Sequence, residues 1–404
     1  MEPKKQTKPK ESWVKPRHRF TFDFLRAILI PYTTWKYRVK ADRFQEQGDR
    51  PYLIMLNHQT PFDQFFVAMS FSGPIYFIAT EDLFSKGWIS SVIRYLAAPI
   101  PIKKQTTDLH AVKTCMKVAK EGGTIALAPE GNRTFDGKTV YIKPSIVKLA
   151  KALRLPIAIY RIEGGYGFLP RWSNTVRKGK IHAYVSRIIE PDDIKAMTDD
   201  ELYELLMKEL HVNEGVVDGT YRHPKLAEHL ERAMYVCPHC GLSEFESSTD
   251  IIRCKKCGRQ VRYLPTKELK GIGEPFPFRF TTEWYDYQCD FINSWDPRPY
   301  RDAPLYRDTS KFFNVVLYKN KELLNKQASV ALYGDRITID DMVFSFDETS
   351  AVTVTGRNKV NIYFGDRVYQ LKSHKRFNAL KYVNIFNRYK NICEGNENGK
   401  FLGL

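Results

Sequence analysis

No run of this sequence reaches the roughly 18 apolar residues that a membrane-spanning helix needs. The best stretch, Phe20 to Ile30, is eleven residues long and carries Asp23 and Arg26. It follows a basic tail (Lys4, Lys5, Lys8, Lys10, Lys15, Arg17, Arg19), as a secretory leader would. However, Pro31-Tyr32 stands where a small-residue cleavage site would be expected. Cysteine is also scarce. There are seven in 404 residues, and four of them fall in two C-x-x-C pairs. The odd total argues against a secreted disulfide framework and for a reducing, cytoplasmic setting. Acids are outnumbered 46 to 63 by Lys plus Arg, leaving a formal charge of +17. That balance selects an anionic partner: nucleic acid, an acidic membrane surface or a phosphorylated small molecule. A hydrophobic content of 43% with 13% aromatics excludes a disordered chain and at this length allows two or three domains.

What is present begins with an amphipathic segment. Phe22, Leu25, Ile28 and Leu29 recur at helical spacing, flanked by Trp13, Trp35 and Tyr37. The pattern predicts an interfacial helix seated on lipid, and a helix packed on the protein's own core has the same periodicity. From Arg50 to about Ile189, apolar runs alternate with helical patterns. Strands are expected at Tyr52–Leu56, Ile75–Ile78, Pro99–Ile102, Thr124–Ala128, Ile157–Ile162 and Ile181–Val185. Helices are expected at Gln64–Ser72, Trp88–Leu96, Leu109–Lys120 and Ile146–Leu153. This is the signature of an α/β layer fold, a sheet flanked by helices.

Two turns in this region carry chemistry. Asn57-His58-Gln59-Thr60-Pro61-Phe62-Asp63-Gln64 follows the first buried strand. Thr60 reads as an N-cap with Pro61 in the first turn, so His58 lies in a strand-to-helix turn with Asp63 just behind it. An imidazole held by a carboxylate is a general base suited to neutral pH. A capping pair beside a solvated histidine has the same residues. The second turn, Pro129-Glu130-Gly131-Asn132-Arg133-Thr134, follows the strand Thr124–Ala128. It offers a flexible glycine, backbone donors and a guanidinium shaped for phosphate.

Together the two turns resemble the glycerolipid acyltransferase family, in particular the PlsC-type 1-acyl-glycerol-3-phosphate acyltransferases. Pro99-Ile100-Pro101-Ile102-Lys103-Lys104 and Leu155-Pro156-Ile157-Ala158-Ile159-Tyr160 are similar to two further blocks of that family, in family order. The resemblance covers roughly residues 20–210 and implies acyl transfer from a thioester (acyl-CoA or acyl-ACP) to the hydroxyl of a lysophospholipid, lysophosphatidate first. In that scheme His58 is the base, Asp63 orients it, and the acceptor hydroxyl attacks directly. Glu130, Gly131, Asn132 and Arg133 would hold the acceptor's phosphate, with Glu130 orienting Arg133 or shaping the turn, and Lys103 or Lys104 would add a second cation. One departure stands out: Thr80 occupies the place of a family lysine that helps to bind phosphate, which leaves the acceptor open between lysophosphatidate, glycerol 3-phosphate and another lysolipid.

Downstream, Thr198-Asp199-Asp200-Glu201 starts a helix, and Leu226–Met234 reads as another. Cys237-Pro238-His239-Cys240 and Cys254-Lys255-Lys256-Cys257 have the spacing of a closed four-thiolate site and resemble a zinc ribbon holding a structural zinc. Ribbons also occur in nucleic-acid adaptors. Here Phe245 and Tyr263 are too few aromatics for a base-stacking platform, so a protein partner or the membrane surface ranks above nucleic acid. Glu274–Asp308, rich in Pro and aromatics, is expected to drape over a neighbour. From Phe312, seven short strands (Val315–Leu317, Ser329–Leu332, Arg336–Ile339, Met342–Phe346, Ala351–Thr355, Lys359–Phe364, Arg367–Leu371) and a closing helix through Phe377, Leu380, Val383, Phe386 and Tyr389 resemble a PH- or GRAM-like barrel. The expected organisation is a basic tail (1–19), an acyltransferase domain (20–225), a ribbon (226–265), a connector (266–311), a barrel (312–392) and a tail (393–404). The expected location is the cytoplasmic side of the cell membrane, bound peripherally to anionic lipid.

Overall fold

Side chains alternate across a strand, so a strand that is apolar throughout must be covered on both faces. That is the situation of Tyr52–Leu56. Tyr52, Ile54 and Leu56 join one core with Phe66, Val67 and Phe71, whereas Leu53 and Met55 join another with Val118, Ile146 and Leu206. The computed structural model describes residues 12–80, 82–102, 108–316 and 319–395. Its first sheet contains β1 (Val39–Ala41), β2 (Leu53–Leu56), β3 (Ile75–Thr80), β4 (Ile100–Ile102), β5 (Thr124–Leu127), β6 (Ile157–Glu163) and β7 (Ile181–Ile189). The order is β1-β7-β6-β2-β5-β3-β4. The β2, β3, β4, β5 and β6 strands run parallel, and β7 runs antiparallel to β6. Hence β2 and β5 lie side by side in the same direction, and the turns leaving them emerge at the same edge.

The helices of this layer are α1 (Pro16–Tyr37), α2 (Asp63–Ser70), α3 (Trp88–Ala97), α4 (Leu109–Lys120), α5 (Ser145–Leu153), α6 (Gly165–Phe168), α7 (Pro191–Ala196) and α8 (Asp199–Leu210). The Thr198–Glu201 capping box forms in full. Two expectations need correction here. First, α2 starts at Asp63, because Thr60 spends its hydroxyl on Asp63 and on the Phe62 N–H within a tighter turn. Second, α1 turns outward only part of the expected stripe, Leu25 and Ile28, with Phe22 turned inward. Phe22, Ile30 and Tyr37 pack on the core, and the exposed side is Phe20, Phe24, Leu25, Ile28 and Trp35. Each stripe recurs at whole turns of the helix, the outward one at Phe20, Phe24 and Ile28 and the inward one about every two turns. Among the described residues, no helix is long and apolar enough to cross a membrane.

The chain continues through β8 (Val236–Cys237) and β9 (Gly241–Leu242), then the sheet of β10 (Phe245–Ser248), β11 (Ile251–Cys254), β12 (Gln260–Tyr263) and β13 (Leu269–Ile272). Instead of a helix at Leu226–Met234, only one 3-10 turn forms, at Leu230–Arg232, with the surrounding segment buried as irregular chain. The aromatic connector does more than drape. It folds into α9 (Thr281–Ser294), whose Trp284 is buried and donates its indole N–H to the Val236 carbonyl at 2.9 Å.

The last sheet holds β14 (Tyr306–Asn314), β15 (Glu322–Leu332), β16 (Arg336–Ile339), β17 (Met342–Ser345), β18 (Thr349–Thr355), β19 (Lys359–Phe364) and β20 (Arg367–Ser373). It is closed on by α10 (Leu380–Cys393). All its pairings are antiparallel, in the order β17-β16-β15-β14-β20-β19-β18, which curls into a nearly closed barrel. Its first strand lies at Tyr306–Asn314, ahead of the expected Val315–Leu317. Here Tyr306 and Phe312 reach the core while Arg307 and Lys311 point outward. One continuous core links the cysteine-bearing sheet, α9, barrel and α10, and takes in Phe135 and Trp172 from the first layer. The barrel also touches the first sheet's edge. Lys86 and Asn320 form an isolated bridge, and Asp82 is paired with Lys321 and, at 3.2 Å, with Lys359.

Candidate active site

Because β2 and β5 are adjacent and parallel, the His58 and Glu130 turns meet. The His58 N–H donates to Glu130 Oε1 at 2.8 Å, the Val140 N–H to Glu130 Oε2 at 3.0 Å, and the Thr134 N–H to the His58 carbonyl at 3.3 Å. Glu130 thus ties the two turns together. Its burial, only partly offset by the His58 and Val140 N–H donors, pushes its carboxyl up to about 8. No ion pair joins it to Arg133 among the described residues, so of its two expected roles the geometry offers turn-shaping rather than orienting the arginine.

His58 Nδ1 lies 2.8 Å from Asp63 Oδ2. Asp63 is buried and also accepts from the Gln59 N–H (2.8 Å), the Thr60 N–H (2.9 Å) and the Thr60 hydroxyl (2.7 Å). A carboxylate can only accept, so Nδ1 carries the proton and Nε2 presents a lone pair. Nε2 has no hydrogen-bond partner among the described residues, and the side chain remains 28% exposed. Burial lowers the imidazole pKa below 6.5; Asp63 opposes the shift, while the Arg133 and Arg171 charges add to it. The ring is therefore neutral at pH 7 and ready to accept a proton.

The Arg133 charge is close enough to bear on the His58 ring, and the Glu130 turn that carries it is bonded to the His58 turn. Among the described residues, Arg133 Nη1 is buried without a partner. Burial, with help from Arg357, lowers its pKa to about 10, although Asp63 pulls the other way. Gly131 and Asn132 already hold contacts within the protein. Gly131 has φ +67° and donates its N–H to the Ala128 carbonyl at 3.0 Å, so that donor closes the turn. Asn132 is buried and its Oδ1 accepts from Arg171 Nη2 at 3.3 Å. Lys103 and Lys104 lie outside the described residues. Thr80 ends β3 and brings no charge.

Several groups escaped the sequence reading. Arg171 is fully buried and binds the Arg133 carbonyl at 2.7 Å. The Gln59 amide is buried with neither atom partnered. Asn57 bridges β2 to β6 through the Ile162 N–H and carbonyl (2.8 and 2.9 Å). From behind, Thr282 of α9 donates to the Asp136 carbonyl at 2.9 Å and Lys138 pairs with Asp286 at 2.7 Å. No local motif marks Arg171 or α9 as part of this site, since each is brought there by chain folding over tens of residues or more.

The four knuckle cysteines form a second, separate cluster. Their sulfurs all lie within 4.8 Å of one another, with Cys237–Cys257 at 3.8 Å and Cys240–Cys254 at 3.6 Å. A tetrahedron with metal–sulfur bonds of about 2.3 Å has edges of roughly 3.8 Å, so the set fits a zinc-sized ion. Gly241 (φ +70°) and Gly258 (φ +76°) release the backbone after each knuckle.

Part of the first layer resembles known proteins. Residues 36–162 match the family model described as Acyltransferase. The chain is 23% identical over 164 residues to a chloroplastic 1-acyl-sn-glycerol-3-phosphate acyltransferase, BAT2, of Brassica napus, covering 39% of this chain and 46% of that one. It is 24% identical over 127 residues to the 1-acyl-sn-glycerol-3-phosphate acyltransferase of Bacillus subtilis (strain 168), covering 31% and 60%. The chain thus spans about half the length of the curated relatives it matches. A solved structure, the LPA acyltransferase PlsC of Thermotoga maritima, aligns at 22% identity with a TM-score of 0.40 over 48% of this chain and 78% of that one.

Proposed function

We propose that this chain, whose residues 36–162 match the Acyltransferase family model, is an O-acyltransferase acting on lysophosphatidate. The donor would be an acyl thioester, acyl-CoA or acyl-ACP. The observation that carries the reading is the His58–Asp63 pair, tied through Glu130 to the turn that holds a buried, unsatisfied guanidinium. His58 Nε2 accepts the proton of the acceptor hydroxyl as its oxygen attacks the thioester carbonyl. Asp63 stabilises the imidazolium that forms, and the protonated ring then returns the proton to the departing thiolate. Carbon–oxygen bond formation and carbon–sulfur cleavage balance without an enzyme nucleophile. Arg133 binds the acceptor phosphate and sets its hydroxyl beside Nε2.

Membrane seating is part of the proposal. The α1 and α3 helices lie against each other. They expose Phe20, Phe24, Ile28 and Trp35 on one helix and Trp88, Ile89, Val92 and Tyr95 on the other, beside Arg19, Lys36 and Arg94. An exposed aromatic patch rimmed with cations suits an anionic bilayer, where both substrates partition. We further assign the four cysteines a structural zinc and the C-terminal barrel a PH-like docking role toward lipid or a protein partner.

A second reading keeps the chemistry but changes the acceptor to glycerol 3-phosphate or another lysolipid, and Thr80 favours it. The deciding experiment is acyl transfer by the full chain to a panel of phosphorylated and unphosphorylated acceptors, comparing the parent with Arg133→Ala. The first reading predicts highest kcat/KM on lysophosphatidate and a selective loss of phosphorylated acceptors in the variant. A parent that prefers glycerol 3-phosphate supports the second, and equal losses on every acceptor would count against a phosphate role for Arg133.

A further inference from the structure

The β18–β19 hairpin of the barrel is stapled to the Glu130 turn. Arg171 donates Nε to the Gly356 carbonyl (2.7 Å) and Nη2 to the Val354 carbonyl (3.2 Å), while Nη1 holds the Arg133 carbonyl. Among the described residues every acceptor on Arg171 is a neutral oxygen, so its buried charge has no carboxylate partner there. Next to Gly356 stands Arg357. Its Nη1 reaches Asn174 Oδ1 at 3.3 Å, an oxygen that also accepts from Arg232, and its Nε is buried without a partner.

The strand leading into this hairpin points the same way. Val352 and Val354 belong to the barrel core, so Thr353 and Thr355 face away from it. Both are buried nonetheless, with unpartnered hydroxyls. Unsatisfied donors therefore gather where the hairpin meets the first layer: Arg133 Nη1, Arg357 Nε and two hydroxyls. Three guanidiniums (Arg133, Arg171, Arg357) share this region, and Asp63, the carboxylate that acts on Arg133, is already bonded to His58. Burying cations without counter-charge is costly, and a doubly charged phosphate monoester has the charge and the acceptor oxygens to offset it.

Resting on the acyltransferase reading above, we infer that Arg357 on the C-terminal barrel is a specificity-determining residue. With Arg133 it clasps the acceptor's phosphate, and the Thr353–Thr355 face closes that side of the pocket. The acceptor site is then incomplete without the barrel, and the barrel selects a phosphate monoester over an uncharged glycerolipid.

The test uses the full chain with Arg357→Gln, which keeps a donor for Asn174, and Arg357→Lys, which keeps the charge. KM for lysophosphatidate should rise roughly tenfold or more in Arg357→Gln, the scale of a lost charge-assisted contact. The loss should fall on KM more than on kcat, and less on monoacylglycerol than on lysophosphatidate. Arg357→Lys should recover part of it. Glycerol 3-phosphate binding, measured by calorimetry on the same proteins, should weaken in parallel. A lysophosphatidate KM in Arg357→Gln matching the parent, or equal losses on both acceptors, overturns the inference. If the parent transfers no acyl group at all, the reading of the function fails, and glycerol 3-phosphate binding decides the role of Arg357 alone.

Discussion

Replacing Asp63 by Asn keeps the shape of the side chain and removes only its ability to accept on both sides. Oδ1 serves the Thr60 N–H and hydroxyl, whereas Oδ2 serves His58 Nδ1 and the Gln59 N–H. An amide offers one oxygen and one NH2 group. If the oxygen stays on the Thr60 side, the NH2 faces the ring, the proton moves to Nε2, and the base can no longer accept from the acceptor. If the oxygen turns to the ring, the Thr60 N–H keeps only its 3.1 Å contact to that oxygen and faces the new NH2 group. The first orientation leaves the buried Gln59 N–H unsatisfied, at a cost of about 1–3 kcal/mol in stability. The imidazolium also loses its carboxylate. The expected fall in kcat is on the order of 10³–10⁴, the scale seen when an orienting carboxylate is neutralised in a His-based site. Thiol release from acyl-CoA with lysophosphatidate as acceptor measures it directly, and calorimetric melting gives the stability term. Turnover in Asp63→Asn above about a tenth of the parent, well outside the range expected for a lost orienter, would refute the assigned tautomer.

Three further outcomes follow from the same geometry. His58 should titrate below 6.5 in the folded chain, since burial and two arginines favour its neutral form; removing a positive charge with Arg133→Gln should move the midpoint upward, and imidazole nitrogen NMR shifts that show it moving downward would contradict this. The Lys359 and Lys321 ammonium groups, working against burial, hold Asp82 well below the usual carboxylate range. A depressed folded pKa means stability present above about pH 4 and lost as pH falls. Asp82→Asn should therefore cost about 2 kcal/mol at pH 7, discounted for partial exposure, and a variant melting with the parent would show that the pair does not hold the barrel. Elemental analysis should find one zinc per chain, with Cys254→Ser losing it and melting earlier; a metal-free chain of parental stability would remove zinc from the account.

Much of the first layer was legible because its signals are local. The strand Tyr52–Leu56 is apolar at every position, and only a strand sandwiched between two helix layers tolerates that. The His58–Asp63 pair needs just five residues of chain to close, and the cysteine knuckles carry their geometry in their spacing. What escaped depends on contacts across long stretches of chain. Val39–Ala41 is too short to show a period and forms only by pairing with β7. Leu226–Met234 has a helical pattern, yet its side chains are drawn into the shared core as an irregular segment. Arg171 and Arg357 sit in unremarkable loops, separated by most of the C-terminal half, and meet only when the barrel docks. The Gly131 N–H closes its own turn on the Ala128 carbonyl, a contact that spacing alone does not show.

The central claim is that His58 Nε2 takes the proton from the acceptor hydroxyl. Single-turnover acyl transfer with enzyme in excess over thioester isolates that step from product release, and His58→Ala is the decisive variant. The account predicts a rate at least roughly 10³-fold below the parent with no acyl group retained on the protein. A His58→Ala chain that transfers acyl groups at the parent's rate would contradict it.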